Sequence, residues 1–283
     1  MTGTLYLCAT PIGNLNDITY RALQCLRDVA VVAAEDTRHT RQLLTYFEIH
    51  TALTRYDEHN KATAGPYLIG RLLAGEDVAI VSDAGMPGIS DPGSDLVKQA
   101  LQSAITVVPL PGANAALSAL IASGIDTTAF TFLGFLPKTK KKQQLLLGNL
   151  VDHPYTLLFY ESPHHLLATL QTLQEIFGDR IVAIGRELTK KFEEFIRGTL
   201  SEVITHFRNI QPRGEFTIVL TGATVADNIN SSAPPAEPAE LLAAVETLVS
   251  AGVEKKSAMR QVALRYGLSK RDVYQALLLP NES

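Results

Sequence analysis

Three short segments rich in glycine, proline and small residues each follow an apolar run, and each could form a ligand site lined by backbone groups. The longest is Val81–Gly93, where Gly85, Gly88 and Gly93 alternate with Pro87 and Pro92 around the acceptors Ser82, Asp83 and Asp91. Glycine admits backbone angles closed to other residues and lets a ligand approach closely, while proline stiffens its neighbours. The second segment runs from Thr10 through Pro11, Ile12 and Gly13 to Asn14; the third is Pro109–Ala116, with Pro111, Gly112, Asn114 and Ala115. Corners of this kind at strand ends suit a flat, hydrogen-bonding cofactor.

Two charged groups supply candidate acid–base chemistry. Glu35, Asp36 and Arg38 follow the second apolar run, and Glu187 and Lys190 follow a later one. A carboxylate near a hydroxyl takes up its proton, and a cation steadies the developing oxyanion or binds phosphate. Residue type and spacing single out no one base among these five. The chain has no Gly-x-Gly-x-x-Gly fingerprint and no Gly-x-x-x-x-Gly-Lys-Ser/Thr loop, so hydride transfer and nucleotide hydrolysis lack their usual support. His164 and His165 are adjacent rather than at ligand spacing, and Cys8 and Cys25 form no cluster, so no metal is expected.

The elements that must position these segments alternate along the chain. Strand-like runs fall at Thr4–Ala9, Val29–Ala34, Val78–Ser82, Ile105–Leu110, Phe130–Phe135, Thr156–Glu161, Ile181–Gly185, Phe192–Arg197 and Phe216–Thr221. Helical patterns lie between many of them, among them Asp17–Arg27, Ala62–Leu73, Asp95–Gln102, Pro163–Phe177 and Leu200–Phe207. This alternation predicts an α/β fold, with largely parallel pairing in the first half. Composition breaks predict one lobe over residues 1–122, a second over 123–224, a proline-rich linker over 225–238 and a helical unit over 239–283. That last unit reads as three helices, Ala239–Ser250, Lys256–Tyr266 and Ser269–Leu278, the final pair outlining a helix-turn-helix. Val262, Ala263, Leu264, Leu268, Val273 and Leu277 are its expected core.

With 25 basic and 29 acidic residues the net charge is −4, which argues against a uniformly basic nucleic-acid binder. The average hides two patches. Lys255, Lys256, Arg260, Arg265, Lys270 and Arg271 occupy a stretch with no acidic residue, and Lys138 with Lys140–Lys142 forms a second run. The first patch is a candidate RNA-binding surface, with a helical packing element as the alternative. No run of about 18 apolar residues is present, and no basic start precedes an apolar stretch over residues 1–14, so neither a membrane span nor a signal peptide is expected. The sparse cysteines fit a cytoplasmic chain.

The segments Ala9–Asn14, Ala34–Thr40, Val81–Gly93, Gly134–Pro137, Phe159–His164 and Arg186–Lys190, in this order, resemble the motifs of the class III, tetrapyrrole methylase-like S-adenosylmethionine-dependent methyltransferases. The resemblance is strongest to the branch that methylates small-subunit ribosomal RNA. It covers about Leu5–Leu220, and the basic tail resembles that branch's C-terminal helix-turn-helix. It implies a two-lobed cleft, a homodimer, and transfer of a methyl group to the ribose 2′-oxygen of a decoding-centre cytidine in 16S rRNA, cytidine 1402 in standard rRNA numbering. It further implies that Pro11, Ser82, Asp83, Met86, Asn114 and Ala115 line the cofactor, with Glu161 and Leu188 closing over it. Two departures stand out: His165 replaces a usual Arg, and Met86 replaces a common Thr. Two alternatives remain at this point: a class III enzyme acting on a tetrapyrrole or other small molecule, and a non-enzymatic RNA-binding or assembly factor.

Overall fold

The computed structural model describes residues 1–89, 91, 93–223, 238–250, 255–266, 273 and 274. The chain divides into two compact units, one of Met1–Lys138 with Thr156–Leu220 and one of Thr139–Tyr155 with Thr221–Ser283.

The first unit holds two sheets. The first sheet is built from β1 (Thr4–Cys8), β2 (Val31–Ala34), β3 (Leu53–Arg55), β4 (Val78–Val81) and β5 (Thr106–Leu110), in the order β3-β2-β4-β1-β5 with every pair parallel. Its helices are α1 (Tyr20–Asp28), α2 (Thr37–Tyr46), α3 (Lys61–Leu73), α4 (Gly93–Gln102) and α5 (Ala115–Ser123). Strands covered on both faces read as continuous apolar runs, and β2 and β4 are buried at every position. Their alternate residues serve opposite layers. Val31, Ala33, Val78 and Ile80 pack with Leu68 and Leu72 of α3 and Leu96 of α4. Val32, Ala34, Ala79 and Val81 pack with Ala22 and Leu26 of α1 and Leu44 of α2.

The second sheet is mixed. It begins with β6 (Phe130–Phe135); the chain then forms α6 (Lys140–Gly148), which belongs to the second unit, and returns. β7 (Thr156–Glu161), α7 (Leu166–Phe177), β8 (Ile181–Arg186), β9 (Glu194–Thr199), α8 (Leu200–Asn209) and β10 (Phe216–Leu220) follow. Strand order is β6-β7-β10-β8-β9, with β6 parallel to β7 and the other pairs antiparallel. Helix α5 docks on this sheet through Ala116, Ala119 and Leu120, against Leu158, Ala183 and Val219. Its small side chains let the helix approach closely, which explains a composition unlike that of the other helices.

In the second unit, α9 (Pro238–Ser250) and α10 (Lys255–Arg265) bury Leu241, Val245, Ala258, Met259, Val262 and Ala263 together with Val273. Helix α9 begins at Pro238, assigned above to the linker; proline suits a first helical position because its missing N–H has no helical partner there. Val273 and Tyr274 are helical, whereas Leu268, Ser269 and Leu277 lie outside the described residues, as do the predicted turn at Gly267 and linker residues 225–237. After β10 the chain runs beside residues 153–155: the Ala223 amide donates to the His153 carbonyl at 2.8 Å. Among the described residues no helix is long and apolar enough to cross a membrane.

Candidate active site

The carboxyl ends of the neighbouring strands β2, β4, β1 and β5 open onto one cavity of about 470 Å³, whose other wall comes from the second sheet. Open parallel sheets bind ligands at this edge because successive loops converge there. From the first sheet's loops come Ile12, Glu35, Ser82, Asp83, Gly85, Met86, Ile89, Asp91, Asn114 and Ala115. From the second come Phe135, Tyr160, Glu161, Leu188, Glu215 and Thr217.

The loops are held from within. Thr10 and Gly85 exchange backbone hydrogen bonds of 2.9 and 3.1 Å, and the Thr10 hydroxyl donates to the Ser82 carbonyl at 3.2 Å. Gly85 lies at φ +80°, a conformation other residues adopt only under strain. Asp91 braces the far half of the loop, accepting from the Gly88 amide at 2.8 Å and the Gly93 amide at 2.7 Å. Asp83 Oδ1 accepts from the Asp36 amide at 3.0 Å, which ties the β2–α2 turn to the loop after β4. Asn114 caps α5 by accepting from the Leu117 amide at 2.9 Å.

Three carboxylates from the first sheet's loops, Glu35, Asp83 and Asp91, line the cavity, and the charge of Asp57 acts on Glu35 from outside it. Burial, followed by the charges of Asp83, Asp91 and Asp57, raises the pKa of Glu35. Burial also raises that of Asp91, against the lowering effect of hydrogen bonds from Gly88, Gly93 and Ile89. The resulting negative field favours a cationic ligand. The thiol of Cys8, buried at the end of β1, is pushed up to about 12 by burial, with the neighbouring Cys25 adding to the shift, so it supplies no thiolate at neutral pH.

The structure separates the five acid–base candidates. Glu35 lines the cavity. Asp36 and Arg38 do not: Asp36 caps α2, pairs with the exposed Arg38 at 2.8 Å and is thereby held well below the usual carboxylate range. Glu187 and Lys190 also pair with each other, at 2.9 Å, and Lys190 Nζ reaches Glu215 Oε2 at 2.9 Å. Burial pushes the Glu187 pKa up, but the bonds from Lys190 and the Glu215 amide, with the charges of Lys190 and Arg186, bring it below normal. These two residues position a loop. Glu187 and Thr189 both adopt left-handed backbone, at φ 49° and 67°, and between them Leu188 is turned onto α5 and the cavity.

Of the residues expected to line a cofactor, Ser82, Asp83, Met86, Asn114, Ala115, Glu161 and Leu188 meet at the cavity. Pro11 is buried and absent from the lining, because Thr10 turns the chain into the Gly85 bridge just before it. Glu161 lines the wall, yet its oxygens are engaged: Oε2 accepts from the Thr169 hydroxyl at 2.6 Å and Oε1 from the Ser162 amide at 2.7 Å. It therefore fastens β7 to α7. Truncation of Glu161 to alanine should cost about 1–3 kcal/mol by leaving the buried Thr169 hydroxyl unpaired. A urea midpoint equal to that of the parent chain would contradict this role.

Residue type and spacing did not mark Phe135, Tyr160, Glu215 or Thr217. Phe135 and Tyr160 sit inside quoted motifs, whereas Glu215 is brought in only by the antiparallel register of β10. In the basic tail, Lys255 and Lys256 are exposed on α10. Arg260 and Arg265 lie on the same helix; Lys270 and Arg271 lie outside the described residues. His165 precedes α7, exposed and without a capping hydrogen bond. Among the described residues no three His, Cys, Asp or Glu side chains are grouped to hold a metal.

The chain has relatives among known proteins. The sequence profile of the Tetrapyrrole (Corrin/Porphyrin) Methylases matches residues 4–204. The chain is 48% identical over 272 residues to ribosomal RNA small subunit methyltransferase I of Halalkalibacterium halodurans, covering 96% of this chain and 93% of that protein. It is 47% identical over 274 residues to the Bacillus subtilis protein of the same name, covering 97% and 94%. Uroporphyrin-III C-methyl transferase from Thermus thermophilus, solved with S-adenyl homocysteine, shares the fold with a TM-score of 0.55 at 16% identity, over 77% of this chain and 97% of that one.

Proposed function

The chain belongs to the tetrapyrrole (corrin/porphyrin) methylases and, within them, to the ribosomal RNA small subunit methyltransferase I group; on that premise we propose the reaction its residues perform. The reaction is methylation, with S-adenosylmethionine as donor, of the ribose 2′-oxygen of a decoding-centre cytidine in 16S rRNA, cytidine 1402. The observation that carries this reading is that similarity to the rRNA-modifying relatives continues past the methylase profile into the C-terminal helices. A small-molecule methylase of the same family has no need of that extension.

The residues present fit the cofactor. The cavity lies within the range of about 300–1,000 Å³ usual for small-ligand sites. Glu35, Asp83 and Asp91 present negative charge to a cation, while Ile12, Met86, Ile89 and Leu188 offer apolar walls to a flat ring. Ser82, Asp83, Gly85 and Met86 on one side and Asn114 and Ala115 on the other would hold it, with Leu188 above. When bound, the cofactor supplies a methyl group already activated on sulfur.

The protein's task is alignment and proton management. Among the described residues Glu35 is the cavity carboxylate that combines a raised proton affinity with side-chain oxygens that no described residue hydrogen-bonds, whereas those of Asp91 accept from Gly88 and Gly93. It would accept the proton of the ribose 2′-hydroxyl, freeing that oxygen to take the methyl group from sulfur. Lys190 keeps Glu187 and Glu215 in place, so it is not the cation that binds phosphate.

The basic tail is the rRNA-docking element of this proposal, with Lys255, Lys256, Arg260, Arg265, Lys270 and Arg271 meeting the backbone. Cytoplasmic location and a homodimer complete it; the exposed Leu117 and Ile121, one turn apart on α5, offer a second copy an apolar face. Removal of residues 239–283 should weaken binding of small ribosomal subunits more than about tenfold near 0.1 M salt and flatten the salt dependence. Calorimetric affinity for S-adenosylmethionine should stay within about twofold; equal loss of both would remove the tail's separate role. The decisive assay incubates the chain with labelled cofactor and unmodified small subunits and maps the methylated nucleotide.

A further inference from the structure

The motif Gly134–Pro137 has no role in the scheme above, yet it begins in an unusual piece of strand. In regular β-structure residues three apart face opposite sides of the sheet, so Phe132 and Phe135 should diverge. They do not. The pairing of β6 with β7 runs Phe132 to Leu158, then Gly134 to Phe159 and Phe135 to Tyr160, which leaves Leu133 as an extra residue. Gly134 sits at φ +64° to complete this bulge. As a result both rings reach Tyr160, with centroids 5.0 Å away for Phe132 and 5.6 Å for Phe135. Bulges of this kind re-aim a side chain, and they recur beside active sites.

What has been re-aimed is an open aromatic surface. Phe135 lines the cavity and is 60% exposed, while Tyr160 behind it is half-buried and braces it. A lone exposed phenylalanine is commonplace; one delivered to a cavity rim by a bulge and a left-handed glycine is a placed group. Phe135 has no polar atom, so it selects a partner with an apolar face and not one with a particular hydrogen-bonding edge.

We propose that Phe135 is the platform on which the base of the target nucleotide stacks while its ribose enters the cavity. This rests on the rRNA-methylation reading. A ribose oxygen can meet a buried methyl donor only if its nucleotide is drawn out of the RNA stack, and the displaced base then needs a replacement for its lost neighbours. An aromatic ring at the rim supplies one, for any base. Phe135 is thus a positioning residue for the acceptor and makes no contribution to holding the cofactor.

The test compares the full chain with Phe135→Ala, Phe135→Leu and Phe135→Tyr on unmodified small subunits, with labelled S-adenosylmethionine. Alanine and leucine should each lower kcat/KM for the subunit by about 5- to 150-fold, the range expected for a lost base–aromatic stack, chiefly through KM. Tyrosine should stay within about twofold of the parent, and calorimetric affinity for S-adenosylmethionine should be unchanged in all three. Leucine performing as well as tyrosine would show that the site needs only apolar bulk, and would overturn the proposal. So would a parallel loss of cofactor affinity, or dissociation of a dimer on sedimentation that tracks the lost rate, since Phe135 would then serve contact between copies. A parent chain that methylates subunits while Phe135→Ala matches it defeats the platform alone. A parent chain that transfers no methyl group to them defeats the underlying reading as well.

Discussion

Substituting Gly85 with valine should reduce affinity for S-adenosylmethionine at least about 100-fold in a chain that still folds. Two effects combine. At φ +80° a β-branched residue is strained by more than the roughly 1–2 kcal/mol that an ordinary side chain pays there. A Cβ would also stand 3.3 Å from Ile12 Cγ2 and 3.4 Å from the Ala113 carbonyl, and valine's further methyls have less room still. Relief must come from movement of the Thr10–Gly85 bridge, which joins two of the corners that line the cavity. The sheet beneath is built from β1 and β4 residues that the substitution does not touch, so secondary structure should persist. Gly124 provides a control. It has the same φ of +80° with nothing within 4 Å of an added Cβ, so Gly124→Ala carries comparable backbone strain at a distance from the cavity. Calorimetry alongside thermal melts separates the outcomes: Gly85→Val should lose binding and Gly124→Ala should lose only stability. Retained affinity in Gly85→Val would remove the loop after β4 from the cofactor site.

The contrast between Gly85 and other site residues shows what could be read from residue order. Buried parallel strands such as Val31–Ala34 and Val78–Val81 are legible because burial on both faces demands unbroken apolar runs. The glycine corners are legible for a related reason, since few sequences tolerate the backbone they require. Strand β3 is not, because Leu53-Thr54-Arg55 is three residues long and only partly apolar. Register is invisible too. The β6 bulge exists in the pairing of Phe132, Gly134 and Phe135 with β7, and Glu215 joins the site because Phe216 lies opposite both Glu161 and Arg186. Side-chain commitments escape in the same way. Asp36, Glu187 and Lys190 have the right chemistry for catalysis, but in the folded chain their groups are spent on Arg38, on Glu215 and on each other. Elimination by geometry is what leaves Glu35.

Glu35→Gln should therefore lower kcat by about 10²- to 10⁴-fold, the contribution of a positioned general base. The pH dependence gives the sharper signature. The Glu35 pKa is raised first by burial and then by Asp83, Asp91 and Asp57, so the free protein holds this proton to a higher pH than an ordinary glutamate near 4.3. A base must be unprotonated, and kcat/KM for the cofactor should fall as pH drops through that raised value. Placing a cation in the cavity opposes the effect of the three aspartates, so in the complex the acid limb of kcat should lie at lower pH than that of kcat/KM. Glutamine should remove the limb along with the rate. Stability should move the other way. A carboxyl whose folded pKa is raised contributes stability while protonated, and that contribution is lost as pH rises through the folded value. Above it the parent chain carries a disfavoured, partly buried charge that Glu35→Gln relieves, so the melting temperature of the variant at neutral pH should equal or exceed the parent's. Asp36→Asn supplies the contrast: asparagine still caps α2, the lost partner Arg38 is exposed, and kcat should stay within about threefold. A Glu35→Gln chain with undiminished kcat, or with its acid limb intact, would transfer the proton to another acceptor. A loss of rate coupled to a gain in stability would mark Glu35 as a charge kept in an unfavourable place for its chemistry.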